Sequence, residues 1–438
     1  MKQPKLFQIV LLGFFVILFL FGFLGFSGKL DGLLPSTGKT VNYGQVVLWG
    51  TISKETIQSL IANNLRDEKS VTISYVQKNA ATFNNDFVEA LASGKGPDLV
   101  VLSQDQLIPN LNKIVPIPYQ TILERDFKNT FIQEGEMFLR PEGVVALPFT
   151  VDPLVMYWNR DMFTNALIAT PPALWSAFYD LVPKITIKDQ AGNITKSLVP
   201  FGTYSNVTNA KEILSTLLMQ AGSPIIENKS GVLGAALITQ GPVDRENPVV
   251  TAMRFYTEFS KPEKDSYSWN RTLPPSRAMF EVGDLALYFG YASEYQSIKQ
   301  KNPHLNFDVA MMPQVSNTAT KITFGRISGV ATVAASKNQA GALHAMMLLS
   351  GANVIGGLST LTGLPPVRKD LISVRPTDPA SSIFYDSAII SRSWYDPNPS
   401  QTNLIFMNMI DSVNSGRSSM NEAIAIANSS LASLFRGN

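Results

Sequence analysis

Apolar and polar positions alternate between strand-like and helix-like spacing in the first part of the chain. Val46–Gly50 is an apolar run typical of a buried strand, and Lys54–Leu65 carries its apolar residues at helical intervals. The pattern continues through Val71–Val76, Phe83–Ala92 and Asp98–Ser103. This order of strands and helices predicts an α/β fold with a parallel sheet, whose ligand sites gather at the carboxyl ends of its strands.

Two extended segments that contain proline predict crossings between two lobes. The first is Gly143–Phe163 and the second is Phe307–Gln314. Proline suits such crossings because it removes a donor from the sheet ladder. A mostly helical region separates the two segments, and a strand of small residues and then helices follow them; these elements are predicted at Trp175–Leu181, Lys211–Ala221, Val249–Ser260, Ile327–Ser336, Leu343–Leu349, Leu404–Asn414 and Met420–Leu434.

The two crossings divide the body into two discontinuous lobes. We predict lobe 1 from residues 44–150 and 315–365, and lobe 2 from residues 151–314 and 366–438. A hinge made of extended strands allows the lobes to close around a ligand lodged between them.

Leu6–Phe26 is an apolar run of 21 residues without a charge. At 1.5 Å per residue a helix of this length covers roughly 30 Å, the hydrocarbon thickness of a bilayer. The two lysines before it favour a cytoplasmic N-terminus and an extracytoplasmic body. We therefore predict a retained signal-anchor at residues 1–28 and a linker at residues 29–43. A signal peptide cleaved at Gly25–Ser27 is the alternative.

Composition excludes several classes of protein. The chain of 438 residues is 45% apolar, and its 36 basic and 34 acidic residues give a net charge of +2 without a long run of one sign. No nucleic-acid partner is therefore expected. The absence of cysteine and the presence of only two histidines, His304 and His344, remove most thiolate, zinc and imidazole chemistry. We expect no cofactor and no metal site.

Two glycine-containing segments resemble phosphate loops without matching one. Gly94–Ser103 places its strand after the glycines, and Gly32–Thr40 has five residues between its glycines where a phosphate loop has four. The first segment instead predicts a helix end, a turn and a buried strand.

Several segments, in this order along the chain, resemble the extracellular solute-binding proteins of ABC importers, within the maltose-binding-like group that captures sugars and oligosaccharides. The segments are "VVLWG", "FVEALASGKGPDLVVL", "VVALPFTVDPLVMYWNRDMF", "TPPALWSAFYDL", "MFEVGDLALYFG", "ISGVATVAASKN", "LTGLPPVRKDL" and "VNSGRSSMNEAIAIANSSL". The resemblance covers about residues 44–438.

The resemblance implies a two-lobed periplasmic-binding-protein-like type II fold with an interlobe ligand cleft and no catalytic activity. It also implies a monomer that carries a small solute, expected to be a carbohydrate, to permease subunits in the membrane. Many relatives are lipoproteins with an N-terminal cysteine, which this chain lacks.

Side chains at strand ends are the first candidates for a sugar site. Sugars stack their apolar C–H faces on aromatic rings, while carboxylates and amides bind their hydroxyls. Trp49 ends the first strand and is followed by Gly50 and Thr51, and Ser103 ends the third strand. The alternative for Trp49 is burial within its lobe.

The resemblance adds candidates from the later strands. Asp152 stands where related sugar binders carry an acidic residue, and Tyr291 stands where relatives place an aromatic residue under the ligand. Ser328 and Gly329 open a strand whose backbone amides could meet a ligand. A hinge carboxylate bonded to backbone amides is the alternative for Asp152.

Trp269 and Trp394 lie in the polar segments "SYSWNRT" and "SRSWYDP". An aromatic residue in such a loop either covers a cleft or fills a local hollow. We include both in the predicted ligand site.

Two other functions remain open at this point. An anchored enzyme would use two carboxylates, although the chain has no G-x-S-x-G or H-E-x-x-H motif and no distinctive acid pair. A sensor or adhesion module would use the binding fold without a transporter. Receptors for iron, phosphate and polyamines share the architecture, so the ligand itself is not fixed.

Overall fold

The computed structural model of the protein describes residues 42–229, 232–238, 247–316 and 320–435. The predicted signal-anchor at residues 1–28 lies outside the described residues. Within them, no single helix is both long and apolar enough to span a membrane. The helices Gln339–Leu349 and Ala352–Thr362 together have the length and apolar composition of a membrane span, but the pair is bent by 62°.

The chain from Tyr43 onward forms one compact unit. Its strands within the described residues are β1 Gly44–Gly50, β2 Val71–Gln77, β3 Leu99–Ser103, β4 Leu139–Arg140, β5 Gly143–Val144, β6 Leu147–Asn159, β7 Ile187–Lys188, β8 Ile194–Lys196, β9 Ile225–Lys229, β10 Val232–Ala236, β11 Leu287–Tyr291, β12 Phe307–Ala310, β13 Thr323–Thr332 and β14 Ser391–Arg392.

The helices of the described residues surround these strands. They are α1 Lys54–Asn64, α2 Phe83–Ala92, α3 Gln104–Asn110, α4 Glu124–Thr130, α5 Arg160–Asn165, α6 Ala177–Ile185, α7 Ala210–Gln220, α8 Pro248–Glu258, α9 Ser276–Glu281, α10 Tyr295–Lys301, α11 Gln339–Leu349, α12 Ala352–Thr362, α13 Lys369–Ile372, α14 Pro379–Ile389, α15 Pro399–Asn414 and α16 Met420–Ser433, with short 3-10 helices at Leu111–Lys113, Gln133–Phe138 and Ala292–Glu294.

The predicted alternation at the start of the body is confirmed, because β1, α1, β2, α2 and β3 follow in that order. β1 pairs in parallel with both β2 and β3. The whole sheet is mixed, with the order β11-β6-β13-β3-β1-β2, because β13 runs antiparallel to both β3 and β6.

The turn before β3 is structural. Gly94 follows α2 with a φ of +67°, a conformation that glycine adopts without steric cost. The carboxylate of Asp98 accepts hydrogen bonds from the backbone N of Val47 at 2.9 Å and from the hydroxyl of Ser336 at 2.5 Å. Asp98, just before β3, thus joins the middle of β1 to the segment that follows β13.

Two separate apolar cores define the two lobes. The core of lobe 1 contains residues between Val46 and Val151. Its later members come mainly from the stretch between Ile327 and Ile372. The core of lobe 2 takes its residues from three stretches, which are Leu154 to Met312, Phe324, and Ala380 to Leu431. The fold is therefore a two-lobed α/β fold whose lobes share long strands.

The second crossing differs from the prediction. Phe307–Gln314 does not cross, because β12 pairs with the lobe 2 half of β6 and Val309 and Met312 lie in the lobe 2 core. β13 makes the return instead, with Phe324 in the lobe 2 core and Ile327 in the lobe 1 core. A strand of alternating type gives the same sequence signal whether it ends in one lobe or passes between two.

Candidate functional site

β6 and β13 run side by side where the two lobes meet. Asp152 and Pro153 lie between the two cores on β6, and Gly325 and Arg326 lie between them on β13. In the register of the strands, Asp152 is the partner of Arg326. We call these four residues the junction.

Asp152 is a buried carboxylate at this junction. Its side chain is 8% exposed and accepts a hydrogen bond from the backbone N of Ser293 at 3.0 Å. Burial raises the pKa of Asp152 to about 6, and the bond from Ser293 and the charge of Arg326 offset part of that rise. The carboxyl group therefore changes its charge in mildly acidic solution.

Arg326 lies over the ring of Tyr291. Its guanidinium carbon is 4.0 Å from the ring centroid, a cation–π distance. The side chain of Arg326 makes no hydrogen bond and no ion pair within 4.0 Å to any residue that the structure describes. The hydroxyl of Tyr291, although buried, also has no hydrogen-bond partner in the described part of the chain.

Charged groups from both lobes surround Arg326. Although the residue as a whole is exposed, crowding desolvates its guanidinium and lowers its pKa. Tyr291 and the carboxylates of Asp152, Glu212 and Asp105 raise that pKa by more, so the net shift is upward. Glu212 belongs to the first turn of α7 in lobe 2, and Asp105 to the first turn of α3 in lobe 1.

The carboxyl end of β3 meets the junction. Ser103 is the register partner of Ser328 on β13, and the Ser103 hydroxyl donates a hydrogen bond to the carboxylate of Asp105. The side-chain oxygen of Gln104 accepts a hydrogen bond from the backbone N of Ile327 at 3.0 Å. The predicted candidates Ser103, Ser328 and Asp152 therefore lie on adjacent strands beside Arg326.

Ser391–Asp396, which we call the strap, contacts both lobes, and the side chain of Arg392 donates a hydrogen bond to the side chain of Gln133 in lobe 1. On the lobe 1 side, the hydroxyl of Ser393 donates a hydrogen bond to Glu134, and the hydroxyl of Tyr395 donates one to the backbone O of Met137 at 3.1 Å. Trp394 and Asp396 of the strap contact lobe 2 instead.

Trp394 and Asp396 make those lobe 2 contacts. The indole N–H of Trp394 donates to the hydroxyl of Ser215 at 3.0 Å, and Asp396 forms an ion pair with Lys211 at 2.9 Å. The Lys211 ammonium lies 5.8 Å from the Trp394 ring centroid. Burial raises the pKa of Asp396, and the charge of Lys211 opposes that rise.

Three of the aromatic candidates, Trp49, Tyr291 and Trp394, each have a cation near the ring. Lys78 lies 3.7 Å from the ring centroid of Trp49, in addition to Arg326 on Tyr291 and Lys211 beside Trp394. Trp49 is 8% exposed and packs in the lobe 1 core at the end of β1, where Gly50 pairs with β2 and the following Thr51 is exposed.

Two predicted site residues lie elsewhere. Trp269 is fully buried in the lobe 2 core, where its indole N–H donates to the side-chain oxygen of Asn206 at 3.2 Å. Gly329 packs inside lobe 1, because a Cβ at this position would approach Ala146 to 2.9 Å and Phe138 to 3.0 Å. Packing accounts for both residues.

Sequence reasoning missed the charged residues of the site. These are Asp105, Lys211, Glu212, Arg326 and Asp396. Arg326 had a detectable signal, because it stands two positions before the candidate Ser328 and shares its face of an alternating strand. Asp105 likewise stands two positions after the candidate Ser103.

The arrangement can bind a small polar molecule. Within the described residues, no group of three or more His, Cys, Asp or Glu side chains is placed to hold a metal ion. The fold and the junction together define a two-lobed solute receptor.

The chain belongs to the bacterial extracellular solute-binding protein family, whose model matches residues 50–349. Members of this family bind solutes without converting them, so the chain is not an enzyme, and its body is extracytoplasmic. The predicted family is confirmed.

Relatives and solved structures agree with this assignment. A protein of Brucella abortus (strain 2308) described as a binding protein is 24% identical over 294 residues, which span 64% of this chain and 64% of the relative. A cyclo/maltodextrin-binding protein complexed with maltotetraose is 16% identical with a TM-score of 0.72, covering 90% of this chain and 97% of its own.

Two further structures share the fold. A cyclic alpha-maltosyl-1,6-maltose binding protein from Arthrobacter globiformis has a TM-score of 0.75 at 14% identity, covering 90% of this chain and 99% of its own. A solute-binding protein from Thermotoga lettingae, bound with alpha-D-tagatose, has a TM-score of 0.64 at 20% identity, covering 90% and 100%. At these identities the likeness concerns the fold.

Proposed function

We propose that the protein is a membrane-tethered receptor that captures a small carbohydrate between its lobes and delivers it to the permease of an ABC importer. The observation that carries the proposal is the set of polar groups at and around the junction that have no hydrogen-bond partner among the described residues. They are the guanidinium of Arg326, the hydroxyl of Tyr291 and the carboxylate of Glu212.

These groups suit a polyhydroxylated ligand. A guanidinium only donates hydrogen bonds, a carboxylate only accepts them, and a phenol does both. Sugar hydroxyls donate and accept, so a single sugar could satisfy all three side chains. The solved structures with the same fold support this proposal, since one of them contains maltotetraose and another contains tagatose.

Capture requires that the ligand contacts both lobes only when they are closed. Asp105 comes from lobe 1, Glu212 from lobe 2 and Arg326 from the strand between them. A ligand that bridges these elements favours the closed form by its difference in affinity for the two forms. The closed form is then the one that docks on the permease.

The membrane tether in this proposal is the apolar run Leu6–Phe26, retained as a signal-anchor. A protein held beside its permease needs neither a lipid-modified cysteine nor free diffusion. The tether is tested by the apparent mass and membrane partition of the mature protein, since a cleaved signal peptide would release a soluble body.

Ligand capture is tested by thermal melting of the full-length protein in detergent with a panel of sugars. A ligand that binds only the folded state stabilises it by RT ln(1 + [L]/Kd), about 2.7 kcal/mol at a hundredfold excess over Kd. We expect at least one sugar to raise the melting midpoint. The same sugar should leave the Arg326→Met variant unshifted, and failure of every sugar to shift the native protein would contradict the proposal.

A further inference from the structure

The ionisable side chains at and around the junction include more acidic than basic groups. Four carboxylates interact electrostatically in this region, together with two cations, Lys211 and Arg326. The carboxylates are those of Asp105, Asp152, Glu212 and Asp396. The ion pair between Lys211 and Asp396 neutralises one carboxylate. Arg326 interacts with the other three, whose combined charge exceeds its own.

Two charged groups near this cluster have partners of their own. Glu294, whose charge also acts on Asp152, is paired with Arg277 at 3.0 Å. Lys78 lies against the ring of Trp49 at 3.7 Å. Glu212 makes no hydrogen bond or ion pair through its side chain to a described residue, and Asp105 accepts a hydrogen bond from the neutral hydroxyl of Ser103.

Tyr291 supplies an observation independent of the charges. Its hydroxyl is buried and lacks a hydrogen-bond partner in the part of the chain that the structure describes, although the residue is 3% exposed. A buried polar atom of this kind costs free energy unless something bonds to it. The side chain lies beneath Arg326, within the electrostatic reach of Glu212 and Asp105, so its hydroxyl belongs to the same site.

We propose that the captured solute is an amino sugar, whose protonated amine lies between Asp105 and Glu212 while its hydroxyls bond to Arg326 and Tyr291. This inference rests on the proposed function and specifies its substrate class. The amine compensates the carboxylates that Arg326 leaves unpaired. A neutral sugar would leave that charge uncompensated when closure excludes water.

Binding of glucosamine oligomers and the matching N-acetylglucosamine oligomers tests the inference directly. The two series share a sugar skeleton, and acetylation removes the charge of the amine. With full-length protein in detergent, calorimetric titration at low salt should give a Kd about tenfold lower for the glucosamine oligomer. The difference in Kd between the two oligomers should decrease in 0.5 M salt, because the distance over which charges attract each other shortens as the salt concentration rises.

Variants assign the preference to named carboxylates. Glu212→Gln and Asp105→Asn should each reduce the preference for the amine-bearing oligomer, and the double variant should remove it. Glu89→Gln is the matched control, because Glu89 is exposed near the end of α2, and that end lies at the edge of the sheet opposite the junction. Unchanged melting midpoints without ligand would show that the variants fold.

The outcomes separate the inference from the function on which it rests. Equal affinity for the two series, or tighter binding of the acetylated one, overturns the inference and leaves sugar capture standing. If spermidine binds and no sugar does, the site serves a polyamine, and both the inference and the proposed carbohydrate function are wrong.

Discussion

Asp152 and Arg326 occupy partner positions on the two antiparallel strands that pass between the lobes. Asp152 is buried against the backbone of Ser293, whereas Arg326 is exposed and rests on Tyr291. The two strands therefore present one fixed carboxylate and one guanidinium without a hydrogen-bond partner in the described residues at the point where both lobes meet.

Removing the guanidinium should abolish ligand capture. We expect Arg326→Met to weaken sugar binding by at least about tenfold, since hydrogen bonds to a charged group contribute about 1.5–3 kcal/mol each. Arg326→Lys should recover only part of the affinity, because lysine lacks the planar fork of donors. The measurement is calorimetric titration of both variants.

The control for this experiment is Arg125→Met. Arg125 lies on the surface of lobe 1 with 79% of its side chain exposed and an adjacent Asp126 partner. Its replacement should leave affinity unchanged. An equal loss of binding in both methionine variants would show a general effect of charge and would argue against a specific role for Arg326.

Asp152 should make stability depend on pH in a defined window. Its pKa in the folded state is about 6, above the value near 4 expected for an unfolded chain, so the folded state holds the proton more tightly. This contribution to stability is fully present below pH 4 and is lost as the pH rises towards 6. The loss is about 3 kcal/mol, since each pKa unit corresponds to about 1.4 kcal/mol.

The Asp152→Asn variant removes this titration while keeping an oxygen that can accept the bond from Ser293. Urea unfolding at pH 4, 5, 6 and 7 should show that the difference in unfolding free energy, variant minus native, grows across the window. A constant difference at all four values would mean that Asp152 titrates normally.

Glu134 should make the stability of the protein depend on pH over a higher pH range than Asp152 does. Burial raises the pKa of Glu134 to about 8, and the hydrogen bond from Ser393 and the charge of Arg392 oppose that rise. Because the folded pKa exceeds the unfolded one, stability falls as the pH rises from about 4 to about 8. Between pH 6.5 and 8 we expect the native protein to lose stability relative to Glu134→Gln, as measured by melting midpoints in matched buffers. Parallel curves would contradict a protonated Glu134.

Trp394 should hold the strap onto lobe 2. Its side chain is 5% exposed and bonded to Ser215, so Trp394→Ala should cost about 3–5 kcal/mol of unfolding free energy through the cavity it leaves. Trp394→Phe keeps most of the packing and should cost less.

A double-mutant cycle with Ser215→Ala isolates the hydrogen bond between the strap and α7. We expect a coupling of about 1 kcal/mol between Trp394→Phe and Ser215→Ala in urea unfolding. Strictly additive effects would mean that Trp394 contributes through packing alone.

The elements of the first lobe were predictable because each carries a clean local period. β1, α1, β2, α2 and β3 form where the apolar spacing places them. The return of the chain was not predictable in the same way. The segments of β12 and β13 both have a strand-like sequence, and only their pairing partners distinguish a strand within one lobe from one that passes between two.

The site was predictable only in part, because its charged members are far apart in the sequence. Asp105, Glu212, Arg326 and Asp396 come together through strand pairing and helix packing, which no local pattern records. Trp269 shows the opposite problem. A polar neighbourhood in the sequence suggested an exposed ring, but the chain folds over it and gives its indole N–H a partner in Asn206.

The position of β13 in the sheet also constrains the order in which the protein can mature. β13 lies between β6 and β3, yet it is made long after both, and the lobe 2 core is complete only with residues of α16 near the end of the chain. A chain emerging from a ribosome or a translocation channel therefore cannot finish either lobe early. Neither lobe can lock before nearly the whole polypeptide has passed, which keeps the chain in the unfolded form that export across a membrane requires.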